Sequence, residues 1–364
     1  MTRFRAESLG GRCKMKMRQC LLTGMALVAL CSGSGCGQRK HEARNSVSPK
    51  GKADSGHPDS CVVFRADRPL DCIFFICEAS VPGGGAPQVG FAGGHSNLLL
   101  RTTDGGRTWH HIVQTNPTAA SFKQILFRDP KHGWVVSRDR LLCTGDGGQT
   151  WQAAPELPGN FYYFGAGAVN SNRYFQIQTP GCGASLYAVS TAGGAWQKWH
   201  GTLPRNDYET MFFLDDQYGW LAGNYGRYAF TTNGGATWLA TNIQNGGHLA
   251  QIQFLTPKLG WMRPVMNHDG GLWATKDGGV TWQKQNAGVK SYSNLVDMHF
   301  FDENLGYLLI DAGPSSAELL KTCDGGASWT FVRAFNAPVK AFCLVSSNAA
   351  WFASRDGAIL HCVF

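Results

Sequence analysis

The stretch Thr102-Thr103-Asp104-Gly105-Gly106-Arg107-Thr108-Trp109 decides the fold, because close copies of it recur along the chain. Full copies of the pattern Thr-x-Asp/Asn-Gly-Gly-x-Thr/Ser-Trp end at Trp151, Trp238, Trp282 and Trp329, and a degenerate copy ends at Trp196. Successive terminal tryptophans are 42 to 47 residues apart. A period of this length indicates stacked supersecondary units that share one architecture.

The chemistry of the repeat is that of a hairpin turn. The two glycines permit positive φ, the acidic or amide side chain accepts N–H bonds within the turn, and the Thr hydroxyl holds the preceding strand. The final Trp then packs a large apolar face against its unit. We therefore assign a structural role to the box residues, which are Asp104, Trp109, Asp146, Trp151, Asn233, Trp238, Asp277, Trp282, Asp324 and Trp329.

A second signal, a Gly followed by an aromatic residue and an apolar run, precedes each box. Clear copies begin at Gly133, Gly219 and Gly260, and weaker copies raise the number of units to seven. Each unit contains four short strand candidates; in the fourth unit they are Thr210–Leu214, Trp220–Gly223, Tyr228–Thr232 and Thr237–Thr241. Four antiparallel strands per unit predict an all-β fold, a seven-bladed β-propeller.

The two ends of the chain predict how the ring closes. The last unit has only three strand candidates, and residues 61–65 supply a fourth strand from the other end. We expect this strand to join the last blade and to remove an open sheet edge. Cys61 and Cys362 would then become neighbours on adjacent strands, which predicts a disulfide between them.

The first sixty residues predict export. A basic segment, an apolar run of about ten residues and small residues up to Cys36 form a signal peptide over residues 1–36, with Cys36 as the candidate lipidation site. Residues 37–60 predict a disordered linker and residues 61–364 the propeller. The formal charge of +8 belongs mainly to residues 1–60, so no basic surface suited to nucleic acid is expected in the propeller.

The Thr-x-Asp-Gly-Gly-x-Thr-Trp boxes resemble the Asp-box, or BNR, repeat of sialidases, xyloglucanases and photosystem II assembly factors. Their compact spacing, the Gly-Trp strands and the exported start are most similar to the assembly-factor family and its non-photosynthetic bacterial relatives, over residues 72–364. The resemblance implies that the boxes lie between the third and fourth strands, away from the ligand site. It also implies a protein partner on the opposite, loop-rich face.

Candidate binding residues come from the loops between the second and third strands and are His95, Arg138, Arg140, Tyr225, Arg227, Arg263, His268, Asp269 and Arg355. A convergent polar ring of this kind suits an anionic group, a sugar or an acidic segment of a partner. The alternative is that these residues are polar only because hairpin tips generally are. The sequence does not choose between the two.

An enzyme would need an acid and a base or nucleophile, and the sequence supplies no recognisable set. A sialidase-like arginine triad is not evident, and the pairing of Asp207, Glu209 and Asp269 as xyloglucanase carboxylates is unsupported. No metal-ligand spacing and no cofactor motif occurs. We expect an exported, lipid-anchored, monomeric and non-enzymatic scaffold for a membrane protein complex, periplasmic or on the outer surface. The alternative is a glycan-binding or glycan-hydrolysing propeller.

Overall fold

The computed structural model describes residues 61–76, 87–112, 121–137, 141–154, 167–169, 173–178, 185–190, 195–199, 203, 208–267, 271–286, 288 and 293–364. The predicted signal peptide, the linker and Cys36 lie outside these residues. The described part is an all-β propeller of antiparallel strands. Within it no helix is long and apolar enough to cross a membrane.

The strands are numbered in chain order and begin with β1 (Val62–Arg65). Sheet 1 contains β2 (Leu70–Phe75), β3 (Gly90–Gly94), β4 (Leu99–Thr102) and β5 (His110–His111). Sheet 2 contains β6 (Phe122–Phe127), β7 (Gly133–Ser137), β8 (Leu141–Thr144) and β9 (Gln152–Ala153). Sheet 3 contains β10 (Gly167–Val169), β11 (Arg173–Gln178), β12 (Ser185–Ser190) and β13 (Gln197–Lys198).

Sheet 4 contains β14 (Tyr208–Phe213), β15 (Gly219–Gly223), β16 (Arg227–Thr231) and β17 (Leu239–Asn242), with a 3₁₀ turn at Asn224–Gly226. Sheet 5 contains β18 (Leu249–Phe254), β19 (Gly260–Pro264), β21 (Gly271–Thr275) and β22 (Gln283–Asn286). The short strand β20 (Met266–Asn267) lies between β19 and β21 in the chain but is not part of sheet 5. Sheet 6 contains β23 (Ser293–Phe300), β24 (Gly306–Gly313), β25 (Ser316–Thr322) and β26 (Thr330–Phe335). Sheet 7 contains β27 (Val339–Ser346), β28 (Ala349–Ser354), β29 (Ala358–Val363) and, from the other end of the described chain, β1.

Sheet 6 differs from the predicted four-stranded pattern. Strand β20, which belongs by sequence to the fifth unit, pairs with the start of β23 through Met266 opposite Asn294. Sheet 6 therefore has five strands, whereas the other sheets have four. The connection between β19 and β21 is long enough to carry this extra strand across to the neighbouring sheet.

The innermost strands of the sheets are adjacent in space. Each of β2, β6, β10, β14, β18, β23 and β27 contacts the next, and β27 contacts β2. Strand β1 pairs antiparallel with β29, with Val62 opposite Leu360 and Arg65 opposite Ala358. The two ends of the propeller segment thus lie in the same sheet.

Packing between sheets depends on the Gly-aromatic signal. A Cβ at Gly260 would lie 2.5 Å from the ring of Phe254, and the equivalent position Gly219 has the same relation to Phe213. Trp261, which follows Gly260, stacks on Phe300 of the next sheet at 3.7 Å, and its indole donates to the carbonyl of Gly325 at 2.9 Å. The glycine makes room for a ring of its own sheet, and the Trp ties that sheet to the box of the next.

The boxes form the turns between the third and fourth strands, as the resemblance implied. In the box of sheet 5, Thr275 Oγ1 donates to Asp277 Oδ1 at 2.8 Å, and Asp277 accepts the N–H of Thr281 at 2.9 Å. The N–H of Gly278 donates to the carbonyl of Lys258 at 2.8 Å, in the turn between β18 and β19. Each box therefore closes its own turn and also fastens it to a second turn of the same sheet.

The predicted disulfide between Cys61 and Cys362 is not present, since both residues are buried free thiols. The N–H of His361 donates to the carbonyl of Cys61 at 2.8 Å, so Cys61 lies opposite His361 and is offset by one residue from Cys362. The two thiols are nevertheless in hydrogen-bonding contact, and burial raises the pKa of Cys362.

Candidate functional site on the loop face

The loop face is the side of the propeller opposite the boxes. It carries the connections between second and third strands and those that lead into each innermost strand. In sheets 1, 2, 4, 5, 6 and 7, the pairing between the innermost strand and its neighbour shifts register directly after the first paired residue of the innermost strand. These bulged residues are Asp71, Lys123, Glu209, Ala250, Val296 and Lys340. A bulge redirects a side chain, and four of the six are charged.

Among the described residues of this face, Asp71 lies at the centre of the largest charged cluster. Its side chain is only 6% exposed, and Lys123 Nζ lies 2.5 Å from its Oδ2. Arg355 Nε donates to Asp71 Oδ1 at 3.3 Å. His95 Nε2 lies 2.9 Å from Oδ2 but outside hydrogen-bonding geometry. We call Asp71, His95, Lys123 and Arg355 the Asp71 cluster.

The Asp71 cluster brings together side chains from three sheets. His95 follows β3, Lys123 lies on β6 and Arg355 follows β28. The carboxylate is buried, whereas the side chains of Lys123 and Arg355 are 50% and 53% exposed. The anion therefore anchors cations that remain available to a ligand. His95 and Arg355 were predicted from their loops, but Asp71 and Lys123 were missed, although each is the charged residue of a largely apolar strand.

A second polar cluster lies in sheets 4 and 5. Glu209 Oε2 contacts His248 Nε2 at 2.5 Å, and Asn224 Nδ2 donates to Glu209 Oε1 at 2.8 Å. The hydrogen bond from His248 holds the pKa of Glu209 below its usual value. Glu209 is thus an ionised carboxylate that links two loops. His248 was not predicted.

Tyr225 and Arg227 belong to the 3₁₀ turn and the strand that follows it. Tyr225 is 74% exposed and has the left-handed conformation φ 58°, ψ 30°. The guanidinium of Arg227 lies over its ring, 5.2 Å from the centroid. Both residues were predicted as binding residues, and the structure places them next to each other.

Arg263 was predicted as a loop-face binding residue, and its position corrects that interpretation. It lies within β19, where Nε donates to Gln251 Oε1 at 2.6 Å and Nη1 donates to the carbonyl of Leu295 at 2.6 Å. Burial lowers its pKa to about 10. All these contacts are internal, so Arg263 joins sheets 5 and 6 because its long side chain reaches the neighbouring innermost strand.

Lys340 and Asp311 form a further ion pair on this face, with Nζ and Oδ1 2.8 Å apart. The predicted residues Arg138, Arg140, His268 and Asp269 lie outside the described residues. No group of three potential metal ligands occurs among the residues that are described.

The comparisons with known proteins agree with this architecture. The family model of the photosynthesis system II assembly factor YCF48 matches residues 84–202. The photosystem II stability/assembly factor HCF136 of Arabidopsis thaliana is 25% identical over 312 residues, which cover 76% of this chain and 73% of that protein. This chain resembles the photosystem II assembly factors.

Two further similarities define how far the resemblance extends. The photosystem II assembly lipoprotein Ycf48 of Synechococcus sp. (strain CC9902) is 22% identical over 240 residues, 62% of this chain and 67% of that protein. A solved structure described as YCF48 bound to D1 peptide superimposes with a TM-score of 0.63 at 18% identity, over 86% of this chain and 97% of that one. This structure supports the fold.

The alternative family also has a match. A xyloglucanase of Paenibacillus sp. is 25% identical over 278 residues, which cover 66% of this chain and only 24% of the enzyme. The repeat is therefore shared with a carbohydrate-active enzyme, but most of that enzyme has no counterpart in the matched region.

Proposed function

We propose that this chain is an exported, lipid-anchored, non-enzymatic propeller that binds a protein of a membrane complex on its loop face. Its relatives are named as assembly factors, and one similar structure is described with a bound peptide. The single observation that carries the proposal is the Asp71 cluster, in which the exposed cations Lys123 and Arg355, from two sheets, meet one buried anion from a third. Such a cluster is fixed before binding, which reduces the entropy lost when a partner is bound.

The proposed organisation of the chain follows the boundaries of the sequence analysis. Residues 1–36 form a signal peptide ending at the lipidated Cys36, residues 37–60 form a tether, and residues 61–364 form one closed ring of seven blades. The mutual contacts of the innermost strands and the pairing of β1 with β29 support this ring. The anchor would hold a monomeric propeller at the periplasmic or outer surface of a membrane.

The chemistry of the loop-face carboxylates favours binding over hydrolysis. A glycosidase requires one carboxyl group that stays protonated because its pKa is raised. Glu209 has a lowered pKa and is held by His248 and Asn224. Asp71 and Asp311 are held by basic side chains. The described carboxylates therefore serve as anchors for neighbouring groups, and no cofactor is required.

Co-purification from host membranes tests the proposal. The wild-type chain is expected to retain a membrane protein complex, and R355Q, which removes one exposed cation but leaves Lys123 on Asp71, is expected to retain less of it. D104N on the opposite face serves as the matched control. Equal capture by the two variants, or glycoside hydrolysis that is abolished by E209Q, would contradict the proposed function.

A further inference from the structure

The strongest unexplained feature of the loop face is the backbone at Tyr225. Among the described residues, the non-glycine residues with positive φ are Ser96, Asn97, Tyr225 and Asn245. Three of them are small and polar, as this conformation favours, whereas a bulky residue is disfavoured there. Tyr225 is thus the large exception.

The conformation of Tyr225 is imposed by its neighbours. The N–H of Gly226 donates to the carbonyl of Gly247 at 2.5 Å, and the N–H of Ile243 donates to the carbonyl of Gly226 at 2.8 Å. A Cβ at Gly226 would lie 2.2 Å from the carbonyl oxygen of Ile243, so the turn is packed tightly on this segment. Asn or Gly at position 225 would fit the same backbone with less strain.

The side chain of Tyr225 contributes little packing to the fold, because Tyr225 is 74% exposed. A strained residue whose side chain lies in solvent is a candidate for function, since folding alone does not select it. Tyrosine and arginine are the residues that most often dominate the energy of protein interfaces.

The charges around Tyr225 indicate the partner. The described residues give Arg227 no carboxylate partner, and its recorded contact is with the Tyr225 ring. Glu209, the nearby acidic group, is already occupied by His248 and Asn224. Among the described residues around Tyr225, the guanidinium of Arg227 is therefore the charged group that a ligand can bind, and a guanidinium favours an anionic ligand.

We propose that Tyr225 and Arg227 form a docking site for a peptide segment of the partner that places a carboxylate beside an apolar side chain. The carboxylate binds Arg227, and the apolar side chain packs on the open face of the Tyr225 ring. This inference rests on the proposed protein-binding function and assigns part of it to sheet 4, apart from the Asp71 cluster.

A library of random displayed peptides, selected on the immobilised full chain, tests the site. The expected selection is for peptides with Asp or Glu next to an aromatic or aliphatic residue. These peptides should bind Y225N about thirtyfold more weakly, as expected for an interface hot spot. R227Q should lose a comparable amount, and R227K should recover part of it because the charge is restored. The control L239N removes an apolar side chain of the same sheet that is 62% exposed, and it should change binding less than twofold.

The stability of Y225N separates a binding role from a folding role. Because Asn tolerates the left-handed conformation, the melting temperature of Y225N should be unchanged or about 2 °C higher. Selection of no peptide at all would contradict both this site and the proposed function. Peptides that lose affinity for R355Q but not for Y225N would leave the proposed function in place and overturn this site. Selective binding of neutral oligosaccharides that is lost in Y225N would also overturn it.

Discussion

At the scale of single residues, the acidic residue of each box acts through its hydrogen bonds to the turn. Sheet 4 carries Asn233 in this position, where Oδ1 accepts the N–H of Thr237 at 2.9 Å and Nδ2 donates to Thr237 Oγ1 at 2.9 Å. In sheet 5, Asp277 Oδ2 accepts from Thr281 Oγ1. The amide therefore reproduces the carboxylate geometry with one donor and one acceptor exchanged.

The substitution D277A should destabilise the protein by about 1–2 kcal/mol, because the N–H of Thr281 loses its acceptor. D277N should cost less than about 0.5 kcal/mol, since Asn233 shows that an amide fits the turn. Chemical denaturation of both variants measures the difference. Equal losses for D277A and D277N would show that the negative charge, and not the hydrogen-bond geometry, stabilises the box.

The boxes should also contribute to acid sensitivity. Burial alone would raise the pKa of Asp146, but hydrogen bonds from Thr150 and Thr144 outweigh it and lower the pKa to about 2. A carboxyl group whose pKa is lowered in the folded state stabilises it above the unfolded pKa, about 3.9, and loses this contribution as pH falls towards 2. The stability of wild type relative to D146N should therefore fall between pH 4 and pH 2. A difference independent of pH in unfolding titrations would contradict this assignment.

At the scale of strands and turns, the sequence predicted where the strands lie in the chain better than it predicted the bulges within them and the burial of individual side chains. The predicted strand Tyr228–Thr232 is observed as Arg227–Thr231, and the predicted strand Trp220–Gly223 is observed as Gly219–Gly223. Turn residues and apolar runs mark such elements locally. The bulges at Asp71 and its equivalents were not predicted, because a bulge depends on which residues of two strands pair. The burial of Arg263 was missed for the same reason.

The Gly-aromatic strand predicts a specific sensitivity. A methyl group at Gly260 would overlap the ring of Phe254, which is fully buried. G260A should therefore cost about 1–3 kcal/mol, the usual cost of forcing extra volume into a packed core. Thermal and chemical unfolding would measure this loss. The double variant G260A/F254L, which replaces the obstructing ring with a smaller side chain, should recover part of the lost stability. No recovery would show that the loss does not come from the overlap with Phe254.

At the scale of the whole molecule, the two ends of the propeller segment are in contact. Strand β1 covers the hydrogen-bonding edge of β29. A chain that starts at Asp67 lacks β1 and should melt at least about 5 °C below a chain that starts at Ser60. It should also self-associate, because an uncovered strand edge pairs with other chains. Equal melting temperatures and a monomeric elution profile for both would contradict the proposed closure.

The repeat made the propeller predictable from sequence, whereas the candidate site comes from residues that do not repeat. Asp71, Lys123 and Arg355 lie far apart in the chain, and the packing of sheets 2 and 7 against sheet 1 brings them together. Local patterns could mark His95 and Arg355 as loop residues but could not show that they share one anion. The grouping of these side chains on the loop face therefore depends on the complete fold and not on any local stretch of sequence.

We propose that the loop face binds a protein partner and that the boxes only support the fold. The most direct measurement compares the affinity of a purified partner complex for wild type, the loop-face variant Y225N/R355Q and the box variant D277N. The loop-face variant should lose at least about a hundredfold in affinity, because two independent sites contribute additively to the binding free energy, and the box variant should lose less than twofold. A loss confined to the box variant, with the loop-face variant binding as wild type does, would contradict it.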